Sequence, residues 1–409
     1  MAMAKPTPTP AAKATRLALL LATASLALAC SRGDEPPPIY PDHSDGAREL
    51  GRVELMRQVT VPDNFILRPD EAGAAGVDAR RGLVYVGSRE GTLLAIDAQD
   101  GEVRWERSLG GPVASPPELV ADAEGELLFV GTDNGELHAI DPATQVDRWT
   151  YATDGRIRNR ALLVEGVVYI VTSRDQIFAL DARTGKWRWQ YEQELQTDFT
   201  VHGHAGLAFA AAADPTSGEP GRLFACFDNG KVAALSAGSG EVLWLASVAP
   251  DAGGNFVDCD TTPLVDDVTG QVYVAGQSTG VHALGRDDGA LAWKFPAEGI
   301  GAVIDGPGGM LIAVSSLEGV MALDREGRAL WRTQLDPGSL ATPVVVGDTI
   351  ILTHAESGIV ALDVPTGMLL GHIPTGSGMS STPVFDPTTG RVYAITNRGV
   401  LVGVKLIDP

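Results

Sequence analysis

The sequence predicts an all-β fold, an eight-bladed β-propeller of four-stranded antiparallel blades, with seven blades as the alternative. Three observations predict it. A unit ending Ala-Leu/Ile-Asp, with a Trp eight residues after the Asp, recurs along the chain at steps of 39 to 55 residues. The runs between these anchors are short and aliphatic or β-branched, and they are broken by Asn-Gly, Asp-Gly and Thr-Gly, which is hairpin chemistry. The last unit supplies three strands before the chain stops, and a strand-like run near the N-terminus can complete it.

Taken in order, the chain opens with Lys5, Lys13 and Arg16 and no acid, followed by the uncharged apolar residues 17–29. Thirteen apolar residues are short of the ~20 a bilayer needs, so residues 1–29 read as a secretory leader. Leu26-Ala27-Leu28-Ala29-Cys30 resembles the bacterial lipobox, which makes Cys30 the lipidated first residue of the mature chain; an ordinary cut near Ala29 is the alternative. By the same resemblance Ser31 after the Cys implies sorting to the outer membrane. Residues 30–50 are polar and Pro-rich, a tether without the apolar content for a core. Loss of residues 1–29 takes the net charge from −21 to −24. So acidic a surface repels phosphate backbones and argues against nucleic acid.

The propeller is expected over 51–409, with Arg52 to Val61 as the closing strand. Blade one covers 74–107, and later blades end near 151, 191, 247, 295, 333 and 372. In blade two the strands are read as 117–121, 127–131, 136–141 and 147–151. The anchor acids Asp97, Asp141, Asp181, Asp324 and Asp363 end third strands, where a carboxylate can accept turn N–H groups; Ser236 and Gly285 stand there in two blades. Trp105, Trp149, Trp189, Trp244, Trp293 and Trp331 then follow in the fourth strands, as flat fillers between neighbouring blades. Blade seven has lost its Trp, with Leu370 and Gly371 in that region. Six of the seven Trp sit at this one place, so their role is structural rather than ligand-binding.

Candidates for chemistry are few. Asp258, Asp260, Asp266 and Asp267 offer carboxylates of the kind calcium prefers, although two solvated strand ends are the simpler reading. His202 and His204 lack further ligands nearby. Cys226 and Cys259 lie on neighbouring blades and either form a disulfide or sit as small buried hydrophobes. Ser115-Pro116, Thr262-Pro263, Thr342-Pro343 and Thr382-Pro383 open inner strands at equivalent points and are expected to shape a channel mouth. Residues 300–309 read as a strand and turn, without the Lys-Ser/Thr ending of a phosphate loop. No catalytic, cofactor or metal set is assigned.

The unit Ala179-Leu180-Asp181 through Thr184-Gly185 to Trp189 resembles the tryptophan-docking repeat of the quinoprotein, or PQQ-type, propeller superfamily, across 51–405. Within it the chain is similar to the BamB family of outer-membrane assembly lipoproteins. The lipobox, the tether, the blade count and Val257-Asp258-Cys259-Asp260-Thr261-Thr262-Pro263, with its long approach 249–256, carry that likeness. An insertion at 213–221 in blade four departs from the pattern, and no segment reproduces the family's partner-binding loop. The resemblance implies a non-enzymatic scaffold, lipid-anchored at the periplasmic side of the outer membrane. It would bind other envelope proteins, among them a β-barrel assembly complex, and carry no cofactor. A PQQ-dependent oxidoreductase is the alternative; against it, no two cysteines are adjacent and no inserted segment builds a substrate channel. A surface propeller for peptide or glycan is the third. The leader makes a direct prediction: Cys30→Ser should move the protein from the membrane to the soluble envelope fraction, read by fractionation and immunoblot. A variant that is processed and stays membrane-bound would remove Cys30 as the anchor.

Overall fold

In the computed structural model, residues 50–60, 73–122, 124–193, 205–212, 216, 218–249, 257–336 and 338–407 are described. The leader, Cys30 and its tether to residue 49, His202, His204, and parts of 213–221 and 249–256 lie outside them. Among the described residues, thirty-two strands form eight antiparallel sheets of four. Blade one is Gly76–Asp78, Leu83–Gly87, Thr92–Asp97 and Val103–Ser108. Blade two, Glu118–Asp122, Gly125–Gly131, Glu136–Asp141 and Val146–Ala152, lies within two residues of the expected bounds. Residues 300–305 form a strand leading to a short 3-10 turn, as expected.

Burial explains the sequence pattern strand by strand. Second strands such as Leu83–Gly87 are buried at every position, because both faces of the blade press on a neighbour there. Fourth strands such as Val103–Ser108 alternate half-buried and exposed, because they form the outer rim. Apolar side chains gather in eight clusters rather than one core. Each cluster joins two adjacent blades: Tyr169, Trp189 and Phe227 belong to the one between blades three and four, and Ile312, Trp331 and Leu362 to the one between six and seven.

The indoles hold these junctions together. Trp149 donates its Nε1–H to the carbonyl of Ala182 in the next blade at 3.1 Å. Trp189 does the same to Ala237 at 3.0 Å, Trp244 to Arg286 at 3.0 Å, Trp293 to Arg325 at 2.8 Å and Trp331 to Val364 at 2.9 Å. Every acceptor is the residue after the anchor position of the following blade. The ring itself lies over the turn glycine of that blade: a Cβ on Gly240, whose φ is +74°, would stand 2.6 Å from the Trp189 ring. The glycine is therefore required twice, for its left-handed backbone and for the space the indole occupies. An aromatic on the second strand backs each of five indoles, as in Tyr85–Trp105 and Tyr273–Trp293, both with ring centroids 5.7 Å apart. Trp105 faces the one third-to-fourth-strand turn of the type that carries Gln145, φ +63°, in place of Gly.

The anchor acids close the turns their positions predict. Asp97 accepts the N–H of Gln99 at 2.8 Å, Asp141 that of Ala143 at 2.9 Å, Asp181 that of Thr184 at 3.0 Å, Asp324 that of Arg328 at 2.8 Å and Asp363 that of Thr366 at 3.0 Å. Arg104 holds Asp97, and Arg188 holds Asp181, below the usual carboxylate range; for Asp141 the Thr144 N–H is the main cause.

Ring closure decides between eight blades and seven. Gly51–Gln58 pairs antiparallel with Val400–Leu406 and completes blade eight with Val384–Asp386 and Arg391–Ile395. Its register slips between Val53 and Leu55, just as the fourth strand of blade one slips opposite Ala95 and Ile96. The slip places Leu55 opposite Gly403, where other blades carry Trp opposite Ala, and Leu55 lies over Gly101 of blade one. Without an indole at this junction, Tyr393 donates its hydroxyl to the Ala98 carbonyl at 2.9 Å, and Arg391 donates to the same oxygen. Blade seven needs no Trp for a related reason. Blade eight takes its fourth strand from the other end of the chain, so it has no covalent third-to-fourth-strand turn on which an indole could rest. Trp189→Ala should cost about 3–5 kcal/mol, as for other large buried aromatics, read from denaturant unfolding with the fold intact in circular dichroism. An unchanged midpoint would remove the indoles from the junction's stability.

Candidate functional site

The eight first strands surround a central cavity of about 530 Å³. Its wall includes Ala74, Pro116, Asn159, Asp260, Thr342 and Thr382, drawn from six of the eight blades, and Gly206 and Gly301 supply the other two. Thr262, Pro263, Thr342 and Thr382 thus take the positions expected of them, at the channel. Ser115 is buried beside it and donates to the Asn159 carbonyl at 3.0 Å.

Strand alternation puts second-to-third-strand turns and blade-to-blade connections on one face of the ring, and first-to-second and third-to-fourth turns on the other. The connections on the first face run to fourteen residues before blade four, sixteen before blade five and seventeen before blade one, against four to ten elsewhere. The end of the one before blade five, 257–263, contributes to an acidic corner at the channel wall. Asp258 and Asp260 come from the connection into blade five, Asp175 from the turn between Val167–Val171 and Gln176–Asp181, and Asp228 from the turn between Arg222–Cys226 and Lys231–Ser236.

Close backbone approach fixes this corner. A Cβ on Gly276 would stand 1.9 Å from the Asp258 carbonyl oxygen, and one on Gly230 2.3 Å from that of Val257. Thr261 Oγ1 accepts the Ala275 N–H at 2.8 Å and donates to its carbonyl at 3.1 Å. Cys226 and Cys259 form a disulfide, Cα to Cα 5.2 Å, that ties the segment to blade four. Asp258 is 1% exposed, and both its carboxyl oxygens, with Oδ1 of Asp260, are buried without a hydrogen-bond partner apart from each other. Burial pushes Asp260 up to about 9, helped by a hydrogen bond shared with Asp258 and by the charges of Asp258, Asp228 and Asp175.

The proposed four-carboxylate set does not assemble. Asp266 ends the first strand of blade five and Asp267 follows it, at the end of the strand opposite Asp258 and Asp260, on the other face. Asp266 is a turn cap that accepts the Val268 N–H at 2.9 Å, and Asp267 pairs with Arg286 at 2.8 Å. The reading of solvated strand ends also fails for Asp258, which is buried. Among the described residues no group of three His, Cys, Asp or Glu side chains stands ready to hold a metal. The sequence reading missed Asp175 and Asp228. A signal for Asp175 was present: seven blades place Gly at its position with φ between 69° and 93°, and blade three places Asp175 there with φ 56°. A buried non-glycine held in the left-handed region is strain of the kind that marks functional sites.

The family model described as "Outer membrane protein assembly factor BamB" matches residues 44–124, 118–279 and 268–406. A protein of that name from Shewanella oneidensis is 24% identical over 340 residues, 81% of this chain and 71% of the relative. The crystal structure of BamB from Moraxella catarrhalis superposes with a TM-score of 0.68 at 22% identity, over 86% of this chain and all of that one, a likeness of fold. The quinoprotein glucose dehydrogenase of Escherichia coli is 26% identical over 170 residues, 34% of this chain and 21% of the enzyme.

The buried pair gives a signed pH dependence. An unfolded Asp ionises near 4, so the stability owed to a neutral Asp260 is full below that pH and is lost as pH rises towards 9. Asp260→Asn should therefore raise the melting temperature over the parent at pH 8 and leave it near the parent at pH 4. Equal shifts at both values in calorimetry would mean that Asp260 ionises normally.

Proposed function

This chain belongs to the family of outer membrane protein assembly factor BamB, and we propose that it is a lipid-anchored, non-enzymatic scaffold in outer-membrane protein assembly. The observation that carries the reading is the acidic corner, where the connection into blade five brings Asp260 to the channel wall beside the buried Asp258. The Cys30 lipid would hold the ring at the periplasmic side of the outer membrane. The face with the long connections would dock a component of a β-barrel assembly complex. Regular blade turns are too short to discriminate partners, whereas longer loops on a rigid scaffold commonly carry binding. An acidic corner favours a partner that offers basic side chains.

Two variants separate the faces, since 213–221 joins the first and second strands of blade four and 249–256 leads into blade five. Replacing each with a Gly-containing turn should leave the fold intact, because loop-closure cost varies slowly with length. Purification from detergent-solubilised membranes should recover the barrel-assembly protein with the parent and the 213–221 variant, and lose it with the 249–256 variant. Recovery with both variants would overturn the docking face.

The partial match to a quinoprotein dehydrogenase makes oxidation the second reading. Purified protein given PQQ and calcium should show no dye-linked oxidation of glucose or primary alcohols. Turnover that depends on PQQ would replace the scaffold with an enzyme.

A further inference from the structure

The repeat supplies an internal comparison for the disulfide. In blades one, two, four and seven the connection leaving the blade donates an N–H to the carbonyl that opens the second-to-third-strand turn. The pairs are Val113 to Ser88 at 2.9 Å, Ile157 to Thr132 at 3.0 Å, Cys259 to Phe227 at 3.2 Å and Met379 to His354 at 2.9 Å. In blades one and two a glycine precedes that carbonyl, and the donor's side chain packs on it. A Cβ on Gly87 would stand 2.3 Å from Val113, and one on Gly131 2.3 Å from Ile157. Blade four puts Cys226 at the glycine position and Cys259 at the donor, and joins them covalently. A side chain packed on a glycine is enough to seat a connection, so the bond answers a further need.

What sets Cys259 apart is its neighbours. Asp258 on one side is 1% exposed, and Asp260 on the other reaches the channel wall. Asp228 lies two residues after Cys226, and its N–H is accepted by the Asp175 carboxylate at 3.3 Å. Four acids converge on one short segment, and like charges so placed push it away from blade four. The residues beside Val113 are Pro112 and Ala114, without charge. Those beside Ile157 are Arg156 and Arg158, and Asp133 engages Arg158 at 2.8 Å from Nε.

We propose that Cys226–Cys259 is the positioning element of the docking corner: the covalent link holds the connection into blade five against the repulsion among its acids and presents Asp260 to a basic partner in a fixed place. This role rests on the docking reading above and names the residues that preorganise that site. A preorganised site loses less binding free energy to ordering on association. Loss of the link should therefore show in dissociation rather than in encounter, which long-range charge governs.

The test puts the contact of blades one and two in place of the bond. Cys226→Gly/Cys259→Val keeps a packed junction and every charge and removes the link. Surface plasmon resonance on the purified, immobilised barrel-assembly protein reads both rates. The variant should dissociate about tenfold faster, with the salt dependence of its association unchanged. Dissociation at the parent's rate would overturn the proposal and leave the bond as bracing alone. Leu362→Ala, at the junction of blades six and seven, controls for stability. It should lower the melting temperature and keep the parent's rates; an equal acceleration there would also overturn the proposal. Should the first variant fail to fold, Cys226→Ala/Cys259→Ala, checked by circular dichroism, carries the same comparison. Asp260→Asn separates the two readings, since it should weaken binding and flatten the salt dependence of association. If it does so while the cysteine variant binds as the parent does, docking stands and the positioning role falls. If Asp260→Asn changes nothing, both fall.

Discussion

One contact is repeated around the ring and organises the rest: an indole lying on the turn glycine of the next blade, with its N–H on the carbonyl beside that turn. A single four-stranded blade cannot bury its own middle strands, since both faces of those strands are apolar. Neighbouring blades must cover them, and the contact sets the spacing at which they do so. The aromatic behind the indole and the acid that closes the turn serve the same junction from either side. Stability is spread over eight junctions, much as in other repeat architectures.

The closing junctions show what happens where that contact cannot form. Blade eight is assembled from both ends of the chain, so the turn that would receive an indole from blade seven does not exist, and the Trp is missing there. At the next junction Leu55 takes the indole's place on Gly101, and Arg391 joins Tyr393 on its carbonyl, where Trp189 joins Tyr169 between blades three and four. The missing Trp in one unit and the strand character of residues 52–61 are two signs of a single constraint. The pairing of first with last strand removes the sheet edge that an open ring would expose.

With the ring fixed, departures from the repeat become the informative positions. Seven of the eight second-to-third-strand turns on the channel face repeat the same left-handed glycine; the corner between blades three, four and five departs from the repeat. There an Asp holds a glycine's backbone conformation, a disulfide crosses to the next blade, and a carboxylate is buried without a donor. The disulfide also braces the junction of blades four and five. The left-handed Asp175 and the buried carboxylate are local costs on a scaffold stable enough to carry them, the usual relation between a rigid fold and a functional site.

Much of this was legible in the residues alone. The period, the hairpin dipeptides and the regular Trp and Asp positions determined the blade architecture, the closing strand and the structural role of the indoles, because a repeat restates its packing rules at every copy. The leader and the lipobox-like Cys30 were likewise sequence features, read from local charge and hydropathy. The acidic corner was not legible in this way. Asp258, Asp260, Asp266 and Asp267 are neighbours in sequence, yet the strand Leu264–Asp266, at ~3.3 Å per residue, carries the second pair to the opposite face of the ring. Asp175 and Asp228, far away in sequence, are brought to the first pair by the ring's curvature. Whether Cys226 and Cys259 meet, and which carboxylates lose their water, depended on how three blades converge at the channel. Proximity and burial across blades belong to the tertiary structure, because no single repeat contains both partners.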